Sequence, residues 1–408
     1  MDVVLDLYET YIGDHVYARL FPAHPTPYDA DLFANTTIFP FGFECEYKPP
    51  TKYFTVPPSP DICRSAWARD NILRQSIDLF LLLWIFGMAV YFLFSTLSYV
   101  FIFDKQQQEH PRYLKNQVKL EIQETLRALP GMSLLTLPLV LAEVRGHTKM
   151  YDTVADGPGL WYEILQFPLF LLFTDFCIYW IHRGLHHPLI YKNIHKKHHK
   201  WVVPTPFAAY AFHPADGWGQ SLAYHVFTFI FPMNKFSFLV LFVFVVFWTI
   251  LIHDGEYLAD NPVINGAACH TIHHLYFNYN YGQYTTLWDR IGGSHRVPDR
   301  EMFDRAKKNG KTEWERQNKG VESMILEVEG QDDRMYSPEE FKKNKSNRQR
   351  KAVGWVACGL FFFFFLGQTG CLLGALEGVA IVLSMWDTCQ LWALTWASLT
   401  CKKVVFRA

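Results

Sequence analysis

Thr174-Asp175-Phe-Cys-Ile-Tyr179-Trp-Ile-His182-Arg-Gly-Leu-His186 is the stretch on which the fold turns. It closes an apolar run, Leu160 to Ile181, that holds two acids, Glu163 and Asp175. On a helix, side chains three and four positions apart share a face. Asp175, Tyr179, His182 and His186 follow i, i+4, i+7 and i+11, so they form one stripe that leaves an apolar helix carrying imidazoles. Acids at membrane depth are costly and are usually functional. Nine residues on comes His195-Lys-Lys-His198-His199, and His270-Thr-Ile-His273-His274 repeats that H-x2-H-H spacing. Twelve of the seventeen histidines lie between His182 and His274. Each box is expected to aim two or three imidazoles at one point, and together they exceed what one tetrahedral ion takes. Imidazole suits iron, copper, nickel and zinc, so the pattern predicts two metal ions.

Composition points to a membrane. Half of the 408 residues are hydrophobic, 17% are aromatic and only 19% are charged. The formal net charge is −1, and no arginine-rich run with interleaved aromatics suggests a nucleic-acid partner. The cysteines (45, 63, 177, 269, 358, 371, 389, 401) form no C-x2-C pair, which excludes a zinc ribbon or a thioredoxin-like motif. The first twenty residues carry Asp2, Asp6, Glu9 and Asp14 and do not read as a cleaved signal peptide.

Three regions follow in order. Residues 1–76 are polar and rich in proline and are expected to form loops and short helices near a membrane surface. They include the sequon Asn35-Thr36-Thr37. Residues 77–352 are expected to be a membrane-embedded domain holding the three boxes. Leu79 to Phe103 is uninterrupted by charge and long enough to cross about 30 Å of hydrocarbon. Asn116 to Leu126 reads as a charged surface helix. Ala128 to Ala142, with Pro130, Gly131 and Pro138, reads as a shorter apolar segment, a tilted span or half of a hairpin. Leu222–Phe231 and Phe236–Ile252, split by Pro232-Met-Asn-Lys235, predict a hairpin that enters and leaves on one side. Met302–Arg350 is strongly charged, and residues 353–408 form an apolar tail that carries no ligand or motif. The fold class expected is therefore an all-α integral membrane protein, with about four transmembrane or hairpin helices and a histidine-rich cap for two metal ions. The most basic loops flank the histidines, so positive-inside bias puts the cap in the cytosol and, counting back through three spans, the N-terminus in the lumen.

Taken together, these residues resemble the fungal sterol C-5 desaturases, within the membrane fatty acid hydroxylase/sterol desaturase superfamily. The resemblance runs through Tyr179–His186, Tyr191–Trp201, Thr205-Pro-Phe-Ala-Ala, Ala211-Phe-His213-Pro-Ala-Asp216-Gly217 and His253-Asp254-Gly255. It continues through Asn265-Gly266, His270–His274, Asn280-Tyr-Gly-Gln283 and Trp288-Asp-Arg290, covering roughly residues 75 to 350. The boxes define the superfamily, and the His-Asp-Gly and Asn-Tyr-Gly-Gln segments point to the C-5 branch. The resemblance implies that the cap is a diiron cap, with iron ligands at His182, His186, His195, His198, His199, His253, His270, His273 and His274. It implies a 5,6-double bond placed in a 7-unsaturated sterol of the ergosterol-type pathway. Oxygen would be reduced to water with electrons from NADH through cytochrome b5 and its reductase, at the endoplasmic reticulum membrane. Arg183, Lys192, Lys196, Lys197 and Lys200 offer a surface for acidic cytochrome b5, and equally a topology signal facing anionic lipid. Asp175 and Asp254 are expected to orient imidazoles, and His213 is a candidate outer or additional ligand. His187 points about 100° from His186 and reads as a bystander, while His225 reads as a buried, hydrogen-bonded histidine. A diiron hydroxylase of a sterol, triterpenoid or fatty acyl chain would show the same boxes. A metal transporter would instead place its ligands near the bilayer midplane.

Overall fold

The computed structural model describes residues 2–23, 56–257 and 261–334, together with Tyr47, Pro49, Pro50 and Lys52. The Asn35 sequon and the tail from Val353 lie outside the described residues. Among them the chain is almost wholly helical, and three helices are long and apolar enough to cross a membrane: α3 (Ile72–Phe101), α4 (Gln117–Val144) and α5 (Leu160–Leu185).

Ahead of α3 come α1 (Asp2–Tyr8), a π-helical turn (Glu9–Gly13) and α2 (Asp14–Leu20). The Asn71 side chain caps α3 by accepting from the N–H groups of Leu73 and Arg74, which satisfies donors a helix start leaves open. One turn in, the fully buried Arg74 guanidinium pairs with Glu9 and, at 2.7 Å, with Asp14. Tyr17 donates to Asp78. Burial of these charges is tolerable only because they are paired, and the pairing fastens α1 and α2 to the head of α3.

Residues 116–142 correct the sequence expectation. The charged helix and the apolar segment after it are one continuous helix, α4, with Pro130 and Pro138 inside it. The polar residues at its start do not face water. Gln117, Glu121 and Thr125 are buried on one stripe. Glu121 accepts from the Thr205 hydroxyl and from Gln117, and Gln117 also donates to the Val203 carbonyl at 2.7 Å. Ser133, buried between the two prolines, donates to the Leu129 carbonyl at 2.9 Å.

After α5 and the short α6 (Pro188–Tyr191) comes the hairpin, α7 (Pro214–Ile230) and α8 (Lys235–Leu251). Its turn contains β2 (Met233–Asn234), which pairs in parallel with β1 (Met150–Tyr151) in the α4–α5 connection. The hairpin tip therefore reaches the far end of the spans, and each 17-residue arm extends about 25 Å at 1.5 Å per residue. Gly131 and Gly217 let α7 approach α4: a Cβ at the first would strike Pro214, and at the second the Phe212 ring and Met132. Phe170, Ile178, Phe227, Phe238 and Leu241 fill the core between α5, α7 and α8. On the histidine side, α9 (Ala267–Tyr276), α10 (Leu287–Ile291), α11 (Arg305–Lys308) and α12 (Lys311–Glu329) build the cap. Val321 and Ile325 of α12 pack on Val202, Ile272 and Phe277.

Candidate metal centre

Three local structures deliver the histidines. His182 lies in the last turn of α5 and His186 is its C-cap. The second box is not an α-helix as its spacing suggested. His195–Lys197 is a 3-10 turn, and its tighter pitch turns neighbouring rings apart. The third box lies on α9, and His253 follows α8 through a turn closed by its N–H on the Ile250 carbonyl.

Each box does not serve one point. Nine nitrogens fall into two groups, His182, His186, His195, His199 and His273 in one and His198, His253, His270 and His274 in the other, with the donor atoms of each group within 4.8 Å of one another. The sequence neighbours His198 and His199 belong to different groups, and α9 supplies both, His270 and His274 to one and His273 to the other.

Hydrogen bonds fix which nitrogen carries the proton. His182 Nδ1 faces the Tyr281 carbonyl at 3.0 Å and His195 Nδ1 the Asp216 carboxylate at 2.7 Å. His253 Nδ1 faces the Thr249 carbonyl at 2.6 Å, and His273 Nδ1 the Tyr279 carbonyl at 2.8 Å. Those acceptors require N–H at Nδ1, which leaves the Nε2 atoms as bare lone pairs. Yet His182 Nε2 lies 3.2 Å from His195 Nε2, and His253 Nε2 lies 2.9 Å from His270 Nε2 and 3.4 Å from His198 Nε2. Facing lone pairs repel unless a cation sits among them. Two nitrogens on an ion with bonds of about 2.1 Å lie about 3.0–3.4 Å apart, from octahedral to tetrahedral angles, and the observed spacings match. Burial pushes His186, His198, His199, His270, His273 and His274 well below the usual histidine range, with neighbouring imidazoles adding to it, and takes His253 to about 4. Neutral imidazole is the form that binds metal. The residues fit a pair of metal ions.

The remaining expected residues are placed as follows. Asp175 accepts from the N–H groups of Gln283, Tyr284 and Thr285 at 3.0, 2.7 and 3.4 Å, so it holds the loop that presents the Tyr281 carbonyl rather than an imidazole. Asp254 accepts from the Glu256 N–H at 2.8 Å. His213 caps α7 by accepting from Ala215 N–H and belongs to neither group. His187 is exposed and caps α6. His225 is buried against Glu143 at 2.7 Å, as the sequence suggested. The carboxylate that does meet an imidazole of the two groups is Asp216. Its position among the first residues of an apolar arm, three after His213-Pro, was the available signal, because a helix start favours an acid there. Gln220 donates to its other oxygen at 2.8 Å. Farther out, Glu329 of α12 accepts from Tyr191 and Arg334, and Arg334 donates to the His199 carbonyl at 2.9 Å, clamping the second box from the cap.

Three membrane-length helices, one of which, α5, ends in a buried nitrogen cage, belong to a multi-pass membrane oxidoreductase that performs metal-dependent oxidation of a lipid, and residues 167–294, which include all nine histidines, match the family model described as Fatty acid hydroxylase. Among curated proteins, a probable Delta(7)-sterol 5(6)-desaturase of Neurospora crassa is 57% identical over 345 residues, 85% of this chain and 100% of the relative. A Delta(7)-sterol 5(6)-desaturase of Aspergillus fumigatus is 56% identical, covering 84% of this chain and 100% of the relative. That of Saccharomyces cerevisiae is 45% identical, covering 82% and 97%. The chain belongs to the fungal Delta(7)-sterol 5(6)-desaturase family. No solved structure matches it.

Proposed function

We propose that this chain is a sterol C-5 desaturase that removes two hydrogens from a 7-unsaturated sterol to give the 5,7-diene. In this reading His182, His186, His195, His199 and His273 hold one iron ion and His198, His253, His270 and His274 a second. The supporting observation is the convergence of imidazole nitrogens in two buried groups, with Nε2 left proton-free at His182, His195, His253 and His273. Bound iron would supply O2 activation and hydrogen removal from unactivated carbon, which amino-acid side chains lack. Two electrons and two protons complete the reduction of O2 to two waters as the sterol loses two hydrogens. The protein's own part is to keep the nitrogens proton-free through Asp216 and the carbonyls of Thr249, Tyr279 and Tyr281, and to keep water out by burial. Electrons would arrive from NADH through cytochrome b5 and its reductase. Of the cationic residues near the second box, Lys196 is bound to Glu329 at 2.9 Å and Lys197 lies 3.4 Å from Glu124. Arg183 donates to Tyr179 and the Gly292 carbonyl. Lys192, Lys197 and Lys200 of this set are exposed, and the cationic face as a whole is the surface offered to an acidic donor.

The same reading places the enzyme in the endoplasmic reticulum with the metal groups facing the cytosol. The basic loops beside the histidines support it, as does Cys63, which is disulfide-bonded ahead of α3, since disulfides persist in an oxidising lumen. Membranes carrying the protein, given a 7-unsaturated sterol, NADH and oxygen, should develop the ultraviolet absorbance of a conjugated diene. A hydroxysterol from iron-loaded protein, or action on acyl chains alone, would replace this reading with a hydroxylase.

A further inference from the structure

We propose that residues 261–265 and 283–291, including α10, form a re-entrant edge immersed in the lipid bilayer beside α5, so that a stretch between the third box and the cap is itself a membrane-contacting surface.

The depth of this stretch can be read from α5. The exposed side chains of α5 are apolar from Leu160 and Trp161 through Ile164, Leu172 and Phe176 to Trp180, and the next exposed side chain of character is Arg183. From Leu160 to Trp180 the helix rises about 30 Å, the thickness of the hydrocarbon, and a tryptophan followed by arginine is the usual mark of the interface. Trp288 of α10 packs against Phe176, ring centroids 4.8 Å apart, one turn below Trp180. Thr285 lies level with Asp175, to whose carboxylate its N–H donates, and Ile264 bridges Thr285. Gly292, at the end of α10, meets Arg183 through its carbonyl at 2.9 Å. α10 therefore climbs from inside the hydrocarbon to the headgroup level.

The outward side chains suit that position. Val263 is 61% exposed, Leu287 41% and Ile291 70%. Exposed Arg290 turns back onto the Pro262 carbonyl at 2.8 Å and the Thr286 hydroxyl at 3.1 Å, so its guanidinium is paired within the edge itself, as a charge near hydrocarbon requires.

Non-helical backbone survives at this depth only when its polar groups are satisfied within the protein. Here they are. Asn265 N–H donates to the Tyr284 carbonyl and Thr286 N–H to that of Val263. Asp175 accepts from the three consecutive N–H groups of residues 283–285. An acid buried at membrane depth thus has a physical reason to be there: without it, three amide donors would lie unpaired away from water.

The test uses the full chain in phosphatidylcholine vesicles, with the photoreactive residue p-benzoyl-phenylalanine placed singly at Leu287, Ile291 or Val263. Ile164, exposed on the span, serves as the lipid-facing control, and Leu326, exposed on α12, as the aqueous one. Irradiation should crosslink phospholipid at Leu287 and Ile291 within about twofold of Ile164 and several-fold above Leu326, as immersion of an apolar face requires. Crosslinking at the level of Leu326 would overturn the proposal. The readout does not involve turnover, so it stands or falls independently of the reaction proposed above.

Discussion

Replacing Asp216 by asparagine keeps the volume of the side chain and changes one thing, the charge that faces His195. The two groups meet at 2.7 Å and both are fully buried. A charge-assisted hydrogen bond of that kind contributes about 1.5–3 kcal/mol. At about 1.4 kcal/mol per tenfold, this corresponds to a loss of about 10- to 150-fold in metal affinity, overlapping the 10–100-fold typical of residues that orient metal-bound histidines. The amide can also present its NH2 to Nδ1, which moves the imidazole proton to Nε2, the atom that must stay bare. D216N protein, purified in detergent, should therefore lose iron to a chelator much faster than wild type, and its diene formation should fall in proportion. Gln220→Ala, which removes a partner from the other Asp216 oxygen, should show a smaller change in the same direction. If D216N folds, keeps its iron at wild-type rates and turns over normally, the role given to the carboxylate is wrong.

Three further outcomes are expected. His198→Ala should abolish turnover and lower iron content, whereas His187→Ala, which removes only a cap on a short exposed helix, should keep most activity and cost about 1 kcal/mol of stability; equal behaviour of the two variants would defeat the metal assignment. Asp104 is held at about 2, burial opposing the shift while Arg305 and Asn309 hold the carboxylate charged. Because the folded-state value lies below the ordinary one, the link between α11 and the end of α3 is at full strength above about pH 4 and is lost as the pH falls toward 2; amide protection in α11, corrected for the intrinsic exchange rate, should fall in that window and become independent of pH in Asp104→Asn. Truncation before Val353 should leave iron content and diene formation intact, since every histidine of both groups lies upstream, and loss of either in correctly inserted protein would give the tail a part in the site.

The sequence was most readable where the chemistry is densest. The boxes named the histidines, and long apolar runs announced α3, α5 and the hairpin, because a bilayer imposes one length and one polarity on whatever crosses it. It was least readable where polarity points inward. Gln117 and Glu121 looked like a wet face, but their partners are Val203 and Thr205, over eighty residues away, and no local pattern reveals such pairs. The same limit hid the division of the nitrogens. Spacing on α9 shows that His270 and His274 share a face, but only the docking of α9 against the 3-10 turn and the end of α5 decides that His273 joins His182 while its neighbour joins His253. Asp175 and Asp254 were plausible partners for imidazoles by proximity in sequence, whereas the carboxylate that reaches one stands on a different helix.

The interleaving of His198 with His199, and of His273 with His270 and His274, has a consequence for how the protein acquires its metals. Neither group can be assembled by one segment, and moving either the turn or α9 disturbs both cages at once, while the end of α5 serves only one of them. Filling the first cage fixes all three segments and so lowers the ordering cost of the second, which is positive cooperativity between ions that share no ligand. During titration with iron, native mass spectrometry should find empty and doubly loaded chains with little singly loaded species between them, and a long-lived population carrying one ion would show that the cages fill independently.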